Sequence, residues 1–360
     1  MKSLLVLLVL LLVGCAGTTE KAVLRINLDE APQTVPRMFP PQSNDDIPRY
    51  IYAGQLLGES NFVYPERHDS ALVSALRWLV GLGQADDEPN VLQRPLAGVV
   101  DDSGRILVTD VSRQAVLVFD PGKGELMAWD KAVGMQSFVS PVGIALGRDG
   151  VVYVADAELG LIARLDREGR SLGALGKGML QRPTGLVYDL VRHRLYVADT
   201  YAHHIKIFEE DGSLVGEIGE RGDHPLEFNY PTYLALHNDA LYVSDTMNAR
   251  VQVISLATGD YIRSIGQRGM SVGDLVRPKG VAVDNEGNVY IVESYWDHLL
   301  VFNQKGDFLM PIGGGAGQQV GQYYLPSGVW VDARNRVFLS DTFNGRVAVF
   351  QYLGGGGEHE

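Results

Sequence analysis

The chain has 360 residues, of which 46% are hydrophobic and 42 are glycine, so it has enough apolar material for a large core and enough glycine for many tight turns. The 31 basic and 44 acidic residues give a formal net charge of −13, and no run of four Lys or Arg occurs, which argues against a protein that wraps a phosphate backbone. The single cysteine, Cys15, excludes a disulfide within this chain, a CxxC redox pair and a cysteine-rich zinc site.

The first residues predict an export signal. Met1-Lys2 is a short basic start, and Leu4–Val13 is an unbroken run of Leu and Val. Ten apolar residues are too few to span a bilayer, which needs roughly 20, so the run is typical of the h-region of a signal peptide. Leu12-Val13-Gly14-Cys15 resembles the lipobox of bacterial lipoproteins. This resemblance implies a signal peptide over residues 1–14, cleavage before Cys15 and lipid attachment to that cysteine.

The lipobox also implies a location. Acyl chains on Cys15 would insert into a lipid bilayer and hold the protein at the bacterial cell envelope. Ala16 follows the cysteine in place of the Asp that marks inner-membrane retention, which favours the outer membrane, on its periplasmic or its surface side. The alternative is an ordinary secretory signal in which the cysteine occurs by chance.

Residues 15–48 are predicted to be a tether that carries the lipidated cysteine and holds a globular domain away from the bilayer. Prolines alternate with polar residues in its second half, a composition typical of extended, semi-rigid chain. The prolines are Pro32, Pro36, Pro40, Pro41 and Pro48.

Two elements are predicted between the tether and residue 95. Arg49–Leu57 is a strand-like run. Leucines at helical spacing predict a short helix over residues 70–82, with Asp69 or Ser70 as its N-cap. An outer strand is the alternative, because Gly83 precedes Pro95 by the 12 residues that also separate Gly219 from Pro231.

From residue 95 onward the chain repeats one unit six times, at intervals of 42 to 48 residues. Each unit opens with a proline: Pro95, Pro141, Pro183, Pro231, Pro278 and Pro326. An acidic residue follows 14 to 16 positions later, directly after an apolar run: Asp110, Asp156, Asp199, Asp245, Glu293 and Asp341. Further strand-like runs are separated by glycine-containing turns. Four short strands in each repeat of this length indicate the blade of a β-propeller.

The units resemble the NHL repeat, most closely in Pro278–Tyr290, Asp245–Val253 and Asp341–Val349. The resemblance covers about 255 residues and implies an all-β fold, a six-bladed β-propeller of the NHL type. Tyr233 departs from the pattern, because the second residue after the opening proline is glycine in most units; Ala97 departs in the same way.

The ring of blades must close. The sixth unit ends at Phe350, and residues 351–360 are expected to be a flexible tail, so the last blade lacks an outer strand. Arg49–Leu57 is the best donor for this strand, which gives a propeller domain of residues 49–350.

The sequence offers few candidates for catalysis. Gly269–Gly273 matches G-x-S-x-G but lies in a loop between units, where the strand and helix of a nucleophile elbow are not expected. The six acidic residues are expected to accept backbone N–H groups in turns rather than to bind a metal. No general base, nucleophile, cofactor or metal is assigned.

Histidines carry the alternative hypothesis, an axial-metal-dependent propeller enzyme such as a lyase or a lactonase-like hydrolase. His204, His237 and His298 come from successive units and could converge on the axis, as in some six-bladed relatives. The repeat itself explains the positions of His203, His204 and His298 better, because NHL repeats often carry His or Arg there.

Aromatic residues carry the preferred hypothesis. Tyr201, Tyr295, Trp296 and Phe343 follow the acidic turn residue, where the units vary, so they are candidates for a partner-binding face. Packing between blades is the alternative. The sequence therefore predicts a lipid-anchored binding or scaffold module, with a protein or an envelope polymer as partner and no nucleic acid.

Overall fold

A computed structural model describes residues 21–27, 37–43, 46–64 and 90–354. In these residues the protein is almost entirely β, with 29 strands and four short 3-10 turns. Cys15 with the signal peptide, the predicted helix at 70–82 and residues 355–360 of the predicted tail lie outside the described residues. None of the helical turns in the described part has the length and hydropathy that crossing a membrane requires.

Five units form four-stranded antiparallel blades in which sequence order equals spatial order. The first three are blade 1 (β5 Pro95–Val100, β6 Ile106–Asp110, β7 Ala115–Asp120, β8 Glu125–Trp129), blade 2 (β11 Pro141–Leu146, β12 Val152–Asp156, β13 Leu161–Leu165, β14 Ser171–Leu175) and blade 3 (β15 Pro183–Asp189, β16 Arg194–Asp199, β17 His204–Glu209, β18 Leu214–Ile218). A small hairpin, β9 Lys131–Val133 and β10 Gln136–Ser137, lies between blades 1 and 2.

The remaining complete blades are blade 4 (β19 Pro231–His237, β20 Ala240–Asp245, β21 Arg250–Ser255, β22 Tyr261–Ile265) and blade 5 (β23 Pro278–Val283, β24 Val289–Glu293, β25 His298–Phe302, β26 Phe308–Pro311). The 3-10 turns are Glu59–Asn61, Arg148–Gly150, Thr246–Asn248 and Thr342–Asn344. The first strands of successive blades contact one another around the whole ring, from blade 1 through blade 6 and back to blade 1. The six first strands therefore surround the axis, and the predicted propeller is confirmed.

Blade 6 combines both ends of the domain. Its own strands are β27 Val329–Val331, β28 Arg336–Asp341 and β29 Arg346–Tyr352, and its outer strand is β3 Tyr50–Leu56 from the N-terminal part of the chain. The register pairs Leu56 with Val347 and Tyr50 with Tyr352. The predicted closing strand is thus confirmed, and β29 continues two residues beyond the predicted end of the domain at Phe350.

Apolar side chains explain why β3 occupies this place. Alternate residues of β3 are buried, as expected for a strand with one face on a core. Tyr50 is 2% exposed, and its hydroxyl lies 3.1 Å from that of Tyr290 in blade 5. The Tyr290 hydroxyl in turn donates to Asp284 at 2.8 Å. The closing strand is therefore held by its neighbouring strand and by blade 5.

Two stretches within the predicted tether lie on the propeller instead of extending away from it. β1 (Val23–Leu24) pairs with β4 (Phe62–Val63), and Ala22 is only 3% exposed. β2 (Met38–Phe39) adds a fifth strand to blade 6 beside β3, and the Phe39 ring meets that of Phe350 at 5.6 Å. Proline content alone predicted a tether over residues 15–48, but the apolar residues in residues 21–27 and 37–43 bury surface against the domain.

Candidate binding face and channel mouth

The propeller has two faces, defined here by the loops that form them. The upper face carries the loops between the second and third strands of each blade and the loops that lead to the next blade. The lower face carries the turns between first and second strands and between third and fourth strands. The acidic residue of every unit ends a second strand and therefore lies at the upper face.

These six acidic side chains have a structural role. All are at most 1% exposed. Asp110 is typical, since its carboxylate accepts the backbone N–H groups of Gln93 at 2.7 Å and Arg94 at 3.0 Å. Glu293 accepts those of Val276 and Arg277 in the same way, at 2.7 and 3.0 Å. Each carboxylate therefore ties the loop from the preceding blade to its own blade, as predicted, and its oxygens are already occupied.

Two of the carboxylates also pair with an arginine. Asp245 accepts Arg250 Nε at 2.8 Å, and Asp341 accepts Arg346 Nε at 2.7 Å. Burial raises the pKa of the Asp341 carboxyl, although its hydrogen bonds from Asn344, Tyr324 and Arg346 act in the opposite direction. These pairs stiffen the turns that carry the variable residues of the upper face.

The predicted binding residues share the upper face. Tyr201 is 54% exposed, Tyr295 51% and Phe343 47%, and each stands two residues after the acidic residue of its blade. Exposure on this scale places them in solvent rather than between blades. Trp296 is only partly exposed, packs edge-on against Tyr295 at 4.8 Å and leaves its indole N–H buried with no hydrogen-bond partner.

An arginine lies over each of the three exposed rings. Arg94 stands 4.7 Å from the Phe343 centroid, Arg182 5.2 Å from that of Tyr201, and Arg277 5.9 Å from that of Tyr295. These distances are typical of cation–π contacts. All three arginines directly precede the opening proline of a unit, and this shared position is the signal in the sequence that marks them.

Further apolar residues that sequence reasoning missed extend the patch. Tyr230 meets Tyr201 at 6.0 Å, and Tyr324 meets Phe343 at 5.6 Å. Met247 occupies the place of Tyr201 in blade 4 and is 43% exposed. The exposed patch therefore spans blades 3 to 6 on one side of the upper face.

The central channel is narrow and mostly apolar. It encloses about 180 Å³ among the first strands and is lined by residues such as Ala97, Val281 and Trp330. Tyr233, which replaces the usual glycine in blade 4, crosses the channel and donates its hydroxyl to the Leu96 carbonyl of blade 1 at 3.3 Å. Burial raises the pKa of Tyr233 to about 12. Its side chain therefore forms a floor below the upper mouth.

The structure does not bring the three axial candidates together. His204 and His298 are the first residues of third strands, two strands away from the axis. His237 ends the first strand of blade 4 at the lower face, where its Nε2 lies 2.7 Å from the Asn238 side chain. None of the three lines the channel. The sequence shows that the three histidines come from successive units, but it does not show that they lie on different strands of their blades.

Two other possible chemical sites are turn structures. Ser271 of the G-x-S-x-G match lies in a loop where its N–H donates to Asp274 at 2.9 Å. Within the described residues, Asp223, His224 and Glu227 are the one cluster of three potential metal ligands. Glu227 already accepts the backbone N–H groups of Asp223 and His224, at 2.9 and 3.0 Å, which explains the cluster as a turn.

A family model described as NHL repeat matches residues 180–208, which span the first three strands of blade 3. The protein is a six-bladed β-propeller, and blade 3 matches the NHL repeat. Solved structures with this fold include virginiamycin B lyase from Staphylococcus aureus (TM-score 0.53, 13% identity, 72% of this chain and 96% of that one). A gluconolactonase from Xanthomonas campestris is similar too (TM-score 0.56, 16% identity, 72% and 86%). At such identities the likeness concerns the fold alone.

The curated relatives that this chain matches are much longer proteins. Protein brain tumor of Drosophila melanogaster is 28% identical over 140 residues, which are 38% of this chain and 13% of that protein. Rat peptidylglycine alpha-amidating monooxygenase is 29% identical over 173 residues, 43% of this chain and 17% of that protein. Bovine NHL repeat-containing protein 2 is 26% identical over 226 residues, 50% and 31%. The chain thus spans less than a third of each.

Proposed function

We propose that this propeller is a binding module that takes a protein partner on its upper face, while a lipid on Cys15 anchors it to the bacterial outer membrane. The observation that carries the proposal is the exposed patch, in which Tyr201, Tyr295 and Phe343 each lie half exposed beneath an arginine. The NHL-type propeller fold supports a binding or scaffold role.

Physical chemistry favours binding at this patch. Aromatic and arginine side chains dominate the energetic centres of protein interfaces, because they bury large areas with few rotatable bonds. Stacking on a ring holds each guanidinium in place before a partner arrives, so less conformational freedom is lost on binding. Among the described residues the side chains of Arg94 and Arg277 have no hydrogen-bond partner, so the patch combines apolar rings with available donors, which suits a partner with both apolar and acidic residues.

The fold supports an orientation for the anchored protein. Lys21 Nζ donates to the Gly122 carbonyl at 3.0 Å, and Gly122 lies in the turn between the third and fourth strands of blade 1, on the lower face. Lys21 is the sixth residue after Cys15, and fully extended chain over these six steps reaches about 20 Å. A lipid at Cys15 would therefore hold the lower face near the bilayer and direct the upper face away from it.

Photo-crosslinking tests the binding face. The photo-crosslinking residue benzoylphenylalanine would replace Met247 on the upper face, in the full chain in membranes. The matched control carries the same residue in place of Val191, which is 83% exposed in a lower turn of blade 3. We expect a reproducible protein adduct from position 247 alone. Replacing Tyr201 and Phe343 by alanine should weaken capture by at least about 30-fold, since the loss of even one hot-spot residue costs about 2 kcal/mol or more.

Two results would contradict the proposed binding face. Equal capture from both positions, or capture from position 247 that the two alanine substitutions leave unchanged, would rule out the aromatic patch as the binding face. Thermal unfolding of the alanine variant serves as the control for folding. Because both rings are half exposed, its stability should stay within about 1 kcal/mol of the parent.

A further inference from the structure

Three basic residues stand at the upper ends of first strands, in blades 1 and 5. Lys279 is the second residue of β23, and Arg94 and Arg277 each stand directly before a first strand. In the described part of the chain, none of these three side chains has an ion pair or a hydrogen bond. By contrast, Arg182, in the equivalent position of blade 3, pairs with Glu158 at 3.3 Å. The mouth therefore holds unneutralised positive charge in a protein whose net charge is −13.

Lys279 interrupts a pattern that holds in three other blades. There the residue after the opening proline is a hydroxyl residue that hydrogen-bonds, at 2.7 Å, to the threonine after the acidic residue; the pairs are Thr184–Thr200, Thr232–Thr246 and Ser327–Thr342. Each of these threonines also donates to the proline carbonyl of the next blade, at 2.7 to 2.9 Å. Blade 5 has a lysine at this position instead of a hydroxyl residue, although the blade fold does not require a lysine there.

The repeat geometry places Lys279 at the inner end of blade 5, next to blade 6, because the equivalent hydroxyls of Thr184 and Ser327 each reach a main-chain carbonyl of the next blade, at 2.8 and 3.1 Å. Burial lowers the pKa of Lys279, and the positive charges of Arg277 and Arg94 lower it further. Arg277 belongs to blade 5, whereas Arg94 belongs to the loop that enters blade 1, so a group close to both lies between these blades. Tyr233 crosses the channel from blade 4 to the Leu96 carbonyl of blade 1 and closes the space below. The space above Tyr233 that these three basic residues border is called the pocket below.

We propose that this pocket receives the carboxylate of an acidic side chain from the protein partner, with Lys279 as its ion-pair partner and Arg94 and Arg277 at its edges. This inference rests on the binding function proposed above. The guanidiniums of Arg94 and Arg277 lie over the rings of Phe343 and Tyr295, at 4.7 and 5.9 Å, and have no hydrogen-bond partner among the described residues, so their N–H groups can donate to the two oxygens of a carboxylate. A short acidic peptide segment fits better than a nucleic acid, because the negative charge of the whole protein repels a long chain of phosphates.

Fluorescence anisotropy of the purified full chain in detergent tests the pocket directly. The probe is a labelled hexaglutamate peptide, with hexaglutamine as the uncharged control. Lys279→Met removes the charge and keeps a similar length, and Lys305→Met removes an exposed lysine from a lower turn of the same blade. We expect salt-sensitive hexaglutamate binding that Lys279→Met weakens about tenfold and Lys305→Met leaves unchanged. Arg277→Gln, at an exposed position, should also weaken it and serves if Lys279→Met does not fold.

The remaining outcomes either overturn the proposed pocket or distinguish it from the proposed binding function. Equal affinity for hexaglutamate and hexaglutamine, or equal affinities of the two lysine variants, would overturn the pocket. Tighter binding of a labelled oligouridine than of hexaglutamate would overturn the assignment to a carboxylate. Crosslinking from position 247 that is intact in Lys279→Met would show that the upper face binds a partner without this pocket. Hexaglutamate binding that depends on Lys279, without any crosslinked partner, would support the pocket and contradict the binding function.

Discussion

Removing one buried leucine from the closing strand should loosen the whole ring. Leu56 is 0% exposed and packs in a cluster drawn from blades 1 and 6, which includes Ile106, Phe119, Phe338 and Val349. Leu56→Ala would leave a cavity between two sheets whose backbones are fixed by their own hydrogen bonds, so little collapse can fill it. Such substitutions cost 2–5 kcal/mol, and we expect about 4 kcal/mol here.

The expected change in melting temperature follows from the size of the domain. An unfolding entropy of about 2.1 cal/mol/K per residue over roughly 300 residues gives about 0.6 kcal/mol/K. A loss of about 4 kcal/mol therefore lowers the Tm by about 6 °C, measured by calorimetry and by urea unfolding. Leu172→Ala is the matched control, because Leu172 lies on the outer strand of blade 2 and is 47% exposed. It should cost about 1 kcal/mol or less. Equal losses in the two variants would refute the claim that β3 holds the ring closed.

Three further predictions address the anchor, the channel and the turns. Cys15→Ala should move the protein from the membrane to the soluble fraction of cells, as detected by fractionation and immunoblotting; unchanged membrane association would contradict lipidation. Because burial raises the pKa of Tyr233 to about 12 from 10.0, the stability it confers below pH 10 should fall as the pH rises from 10 towards 12. Tyr233→Phe should flatten that fall in urea unfolding, and an unaltered slope would argue against a buried hydroxyl. Asp341→Ala leaves Arg346 buried without a carboxylate and should cost 3–5 kcal/mol, whereas Asp166→Ala, at an exposed pair, should cost less than about 1 kcal/mol by the same measurement.

The propeller could be predicted because its information is local and repeated. Each unit carries its own proline, apolar runs and acidic residue, so six imperfect copies reinforce one pattern. Ring closure followed from counting, since the sixth unit had one strand too few and Arg49–Leu57 was available. The structural role of the acidic residues could also be predicted, because a carboxylate directly after a strand commonly accepts nearby backbone N–H groups.

Contacts between residues that lie far apart in the chain could not be predicted from the sequence. Tyr233 and Leu96 are 137 residues apart, and only the ring geometry brings them to opposite sides of one channel. The arginines that stack on the aromatic residues come from different loops, so the single-residue pattern before each proline could not reveal their targets. The three histidines do not meet at the axis, because equivalent positions in a repeat determine neither the distance of a side chain from the axis nor the face on which it lies.

The start of β3 and the end of β29 meet at one point on the rim of the ring. The Leu353 N–H donates to the Arg49 carbonyl at 2.8 Å, where β29 ends and β3 begins, on the lower face. With the anchor proposed above, a reporter fused beyond Gly354 would start between the propeller and the bilayer. A reporter inserted into the loop of residues 267–276 would start on the side that faces away from the bilayer. The point at which β29 ends and β3 begins thus determines which fusions leave the upper face unobstructed.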